Sequence, residues 1–189
     1  MKLVALAVGL SLLAAAPLFA ADAPKFELGG AYSVMQETSR SESFRSGWAI
    51  SAIGNVNNWV GVAVEVGGNY RTCTDCQRGP FSTQRLQGTN VPMRIHTYLA
   101  GPRVASHASP VVAPFGQFLV GGAHLSGGLE WDGALNTGTV YQPGGGVDVR
   151  VAPGAAIRFQ GDYRVIRTSG RNNKQSRFLA GVVLSGGTR

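Results

Sequence analysis

Asn57-Asn58-Trp59-Val60-Gly61-Val62-Ala63-Val64-Glu65-Val66-Gly67-Gly68-Asn69-Tyr70 decides the fold, because from Val60 to Gly67 every even position is valine and the odd positions are Gly, Ala, Glu and Gly. Successive side chains of a strand point to opposite faces, so the valines share one side and Glu65 lies with small residues on the other. A face of glycine, alanine and one carboxylate cannot fill an apolar core. A sheet with one β-branched face and one small, ionised face suits a barrel whose outside meets lipid and whose inside is polar.

The rest of the chain extends this pattern. Residues 1–20 carry Lys2, an apolar stretch from Leu3 to Leu13 and small residues up to Ala20, the order of a secretory signal peptide. Its apolar stretch is too short to span a bilayer. Cleavage after Ala20 removes Lys2, lowering the formal charge of +7 by one, and leaves residues 21–189 as a single domain. No later apolar run reaches the eighteen residues of a helical span, and 27 glycines with 14% charged residues suit short strands and turns.

Strands are expected at 26–34, 47–56, 60–70, 93–101, 112–124, 144–151, 155–164 and 177–185. Pro102 is expected to end the fourth, since proline cannot donate to a ladder. The first, third, fifth and seventh links are expected to be long and the others short. An even strand number with turns short at one end and loops long at the other describes an outer-membrane barrel with both termini in the periplasm. The expected fold class is therefore all-β, an eight-stranded antiparallel up-and-down transmembrane β-barrel. A helical or doubly wound fold would need long helical patterns between the strands, and a soluble lipocalin-like barrel would need a large apolar interior.

Gly47-Trp48, Asn57-Asn58-Trp59-Val60-Gly61, Tyr98-Leu99-Ala100-Gly101-Pro102-Arg103, Gly144-Gly145-Gly146-Val147-Asp148-Val149-Arg150 and Ala180-Gly181-Val182 resemble the small bacterial outer-membrane β-barrels of OmpA and opacity type. The resemblance implies insertion by the outer-membrane assembly machinery, contact with outer-membrane lipid and lipopolysaccharide, a monomeric state, and a structural or surface-interaction role. It implies no cofactor.

Glu65, Asp148 and Asp162 are assigned to the interior with Arg94, Arg150, Arg158, Arg164 and Arg177, as a salt-bridge plug in a lumen just wide enough for side chains. Their arginine excess leaves open a narrow anion-preferring or proton-conducting pore. Cys73 and Cys76 are the only cysteines; in an oxidising periplasm they are read as a disulfide closing a small loop, worth at most about 2 kcal/mol. No second ligand pair accompanies them, so no metal site is assigned. His124-Leu125-Ser126 resembles the His-x-Ser of outer-membrane lipid A deacylases, with Glu130 as the candidate acid, which leaves open a lipid A-modifying hydrolase. The basic stretch Arg167 to Lys174 is read as a loop able to meet lipopolysaccharide phosphates. The arginines alternate within strands instead of forming an aromatic-interleaved stripe, which argues against nucleic acid.

Overall fold

The computed structural model describes residues 23–38, 43–73, 91–126, 137–168 and 171–187. The proposed signal segment lies outside them. The strands are β1 (Phe26–Glu37), β2 (Ser43–Phe44), β3 (Ser46–Asn55), β4 (Val60–Cys73), β5 (Val91–Ala105), β6 (Val112–Ser126), β7 (Thr137–Ala152), β8 (Ala155–Thr168) and β9 (Arg171–Gly186). β2 and β3 are parted only at Arg45 and make one stave, so the barrel has eight. Each stave pairs antiparallel with the next, and β9 closes on β1 from Phe26↔Gly186 to Glu37↔Gln175. Closure removes the exposed edges of an open sheet.

The three turns at the end that carries Phe26 and Gly186 are tight for identifiable reasons. Asn57 Oδ1 accepts from the backbone N–H groups of Trp59 and Val60 at 2.8 and 2.7 Å, which folds the β3–β4 turn around one side chain. Ser109 Oγ does the same for Val111 and Val112 before β6. Gly154, with φ of 76°, turns β7 into β8.

Most strands run past their expected ends, β7 starting at Thr137 instead of Gly144 and β9 at Arg171 instead of Arg177, and two further differences bear on the site. Pro102 does not end its strand; it pairs with Val62 on the β4 side, and the ladder to β6 omits the rungs at Gly101 and Pro102 before resuming at Arg103↔Gln117. A proline inside a strand is tolerated where the rung is already given up. Likewise Arg167 and Thr168, and Arg171 to Lys174, lie in strands, not in a loop. The β8–β9 hairpin is paired up to Thr168↔Arg171, and Arg167 and Lys174 are exposed on adjacent strands.

Register fixes which side chains face in. Ser51 and Leu99 flank Glu65 across the ladders, and partners in register share a face. The valines Val60, Val62 and Val64 are accordingly exposed, while Gly61, Ala63 and Glu65 are buried. The interior nearer the loop end is largely apolar: Met35, Phe44, Met93, Ile95, Leu125, Val140 and Ile166 pack together above the charged residues, with Glu37 buried beside them and accepting from Asn173 Nδ2 at 2.7 Å. Such a layer was not expected from a lumen read as small and charged.

Candidate functional site

Two balanced groups of ionised side chains fill the lumen. Near the turn end, Arg103 donates from Nη1 to Glu27 Oε2 and from Nη2 to Asp148 Oδ2, both at 2.8 Å. Arg158 grips the same carboxylates, from Nε to Asp148 Oδ1 at 2.7 Å and from Nη2 to Glu27 Oε2 at 3.0 Å. The two guanidinium carbons lie 4.2 and 4.8 Å from the centroid of the Phe115 ring, whose π-face offsets part of the repulsion between the cations.

At mid-barrel Arg177 bridges Glu65 Oε1 at 2.5 Å and Asp162 Oδ2 at 2.6 Å through Nη2. Gln160 Nε2 adds donation to Asp162 at 3.0 Å. Arg164, completely buried, reaches no carboxylate directly among the described residues; its Nε donates to Gln142 Oε1 at 2.8 Å, and Gln142 Nε2 donates to Glu65 Oε1 at 3.2 Å. A buried charge is tolerable only with partners, and here each group sets two arginines against two carboxylates.

Glycine at position 144 makes room for this. A Cβ there would overlap the Asp162 carboxylate. Gly144→Ala is therefore expected to push Asp162 off Arg177 and lower stability by about 1–3 kcal/mol, read as a fall in the urea midpoint of the lipid-embedded protein.

Six of the assigned interior charges, Glu65, Asp148, Arg158, Asp162, Arg164 and Arg177, are buried in these groups. Arg94 is not. It is exposed on the outer surface because the register puts Met93, Ile95, Thr97 and Leu99 inside, reversing the parity inferred from their hydrophobicity alone. Arg150 shares the parity of Asp148 but lies at a register shift beside the terminal turn, and is exposed. Glu27 and Arg103 were missed as members. Arg103 was hidden by the expected strand end at Pro102, whereas the odd-position alternation Glu27, Gly29, Ala31, Ser33 already gave Glu27 its inward face.

The outer surface is graded. Between Phe26 and Val34 on β1, Val60 and Val66 on β4, Tyr98 and Val104 on β5, and Phe178 and Leu184 on β9, no outward residue is ionised. Trp48, Tyr32, Tyr98, Tyr141, Tyr163 and Phe178 lie toward its loop-side border, and beyond them stand Arg94, His96, His124, Arg167 and Lys174. The strand carboxylates Glu27, Glu37, Glu65, Asp148 and Asp162 are all buried.

His124 and Ser126 occupy this rim on the outward face of β6, His124 exposed and Ser126 half-buried. Across the ladders His124 faces His96 and Thr137, and Ser126 faces Arg94. Among the described residues no hydrogen bond joins His124 to Ser126, and Glu130 lies outside them. Cys73 closes β4 by its backbone, while its side chain and Cys76 also lie outside them.

Neisserial surface protein A has a similar fold: TM-score 0.59, 14% identity, over 85% of this chain and 95% of that one. Ail, the attachment invasion locus protein of Yersinia pestis, matches with TM-score 0.50 and 14% identity over 84% and 95%. At such identities the likeness concerns the fold. No curated protein matches the sequence. The sequence itself matches the family described as outer membrane protein beta-barrel domain over residues 3–185, and with its closed eight-stave barrel the chain belongs to that family.

Proposed function

We propose that this barrel is a surface-interaction protein of the bacterial outer membrane, monomeric, exported by its signal peptide and inserted by the outer-membrane assembly machinery with both termini in the periplasm. The observation that carries the reading is the grading of the outer surface. An apolar band, an aromatic border and a rim of cations with every strand carboxylate turned inward match a hydrocarbon core bounded by anionic headgroups, as in a leaflet of lipopolysaccharide. The basic rim is at the end where β4 joins β5 and β6 joins β7, so those links are the ones presented outside the cell.

The conducting and hydrolytic alternatives draw less support. With Arg94 outside, Arg150 exposed at the turn-end mouth and Glu27 inside, the two ionised groups carry no cationic excess to select anions, and a largely apolar layer lies above them. The cross-strand neighbours of His124 offer no carboxylate to orient its ring.

An epitope inserted between β4 and β5 should be reached by antibody on intact cells, and one fused after Arg189 only after the outer membrane is permeabilised. The reverse pattern would overturn the orientation.

A further inference from the structure

We propose that the outward faces of β5 and β6 form a site for the phosphate of a phosphorylated membrane glycolipid, built from Arg94, His96, His124 and Ser126; this deepens, and rests on, the seating of the rim against anionic headgroups. The four residues form a two-by-two block, with His96 paired to His124 and Arg94 to Ser126 across the ladder. Opposed side chains of this kind sit close enough to share one ligand.

His96 is held in place. Trp48 Nε1 donates to Tyr70 Oη at 3.0 Å, and Tyr70 Oη lies 3.2 Å from His96 Nε2, with the rings edge to face at 5.7 Å. The tautomer that satisfies all three groups has Tyr70 donating to Nε2, which leaves Nδ1–H of His96 as a donor for a ligand. Gly68 makes the relay possible, because a Cβ at that position would lie 2.7 Å from Tyr70 Oη and 2.9 Å from Trp48 Nε1.

The chemistry of the block selects an anion. It offers a guanidinium, two imidazoles and a hydroxyl, and none of the described residues in it is acidic; the guanidinium beside the imidazoles disfavours a metal cation. Its position selects a lipid. Toward the bilayer from His124 the next outward residue is Gly122, where a Cβ would meet nothing nearer than the Gly138 carbonyl at 4.0 Å, so an acyl chain can descend past it beside Tyr98 and Val120.

The test is retention of bisphosphoryl lipid A by the detergent-solubilised full chain in native mass spectrometry, compared with its dephosphorylated form and challenged with inorganic phosphate. The double variant His96→Gln/His124→Gln and Arg94→Gln should each weaken retention about tenfold. Gly68→Ala, which displaces the relay without touching the ligand, should weaken it by a smaller factor. Arg167→Gln/Lys174→Gln should have less effect than either of the first two. Displacement by inorganic phosphate at equal concentration would overturn the lipid as the ligand. If the loss falls on Arg167→Gln/Lys174→Gln alone, the β5–β6 site is overturned while the rim reading stands. If dephosphorylated lipid is retained equally by every form, the rim reading itself fails. Each variant is first checked for the mobility shift on boiling that marks a folded barrel, and Tyr70→Phe, which removes only the relay hydroxyl, replaces Gly68→Ala if that variant does not fold.

Discussion

Arg177→Leu is expected to be the most damaging single change in the barrel, lowering stability by about 3–5 kcal/mol, because one side chain ion-pairs with two buried carboxylates. Arg177 is completely buried, and its Nη2 contacts both Glu65 and Asp162. Removing it leaves two buried carboxylates near each other, with Arg164 engaged through Gln142. The measurement is the urea midpoint in lipid vesicles together with the temperature at which the compact form on a gel gives way to the unfolded one. A double variant, Arg177→Leu with Asp162→Asn, should recover most of the loss, since it leaves Glu65 balanced by Arg164 through Gln142, and removing a balanced pair costs far less than orphaning one partner. A double variant as unstable as Arg177→Leu would show that guanidinium packing, not charge, is what matters there.

Val64→Arg tests the other face. Val64 is 48% exposed in the middle of the apolar band, and a guanidinium at that depth should cost about 2–4 kcal/mol in lipid. Ser176→Arg, on the outward face of β9 at the rim, should cost about 0–1 kcal/mol. Equal, small effects at the two positions would mean that the valine face meets water.

How far these features could be read beforehand differs by strand. In β4 the alternation of valine with Gly, Ala and Glu admits one solution, and Glu65 faces inward as its period requires. β5 was ambiguous: Met93, Ile95, Thr97 and Leu99 alternate with Arg94, His96 and Tyr98, and both sets can serve either face in a barrel that has an apolar layer inside and a basic rim outside. Only the pairing of Leu99 with Glu65 decides between them. Register is a long-range property, and a one-residue slip moves every side chain to the other face. The same holds for Arg103, whose partners Glu27 and Asp148 come from strands distant in sequence. The relay from Trp48 through Tyr70 to His96 was equally out of reach, because it depends on three staves lying side by side and on the bare backbone of Gly68. The residues of the His-x-Ser pattern, by contrast, do lie together on the outward rim, which strand periodicity already implied for His124 but not for Ser126, two residues past the expected strand end.

The most direct test of the lipid-embedded barrel is cell fractionation followed by electrophoresis with and without boiling. The expected result is that the mature chain is in the outer-membrane fraction and that its mobility changes on boiling, as the closed, hydrogen-bonded barrel resists detergent until heated. Recovery as a soluble periplasmic protein with one mobility under both conditions would contradict the assignment of the valine face to lipid.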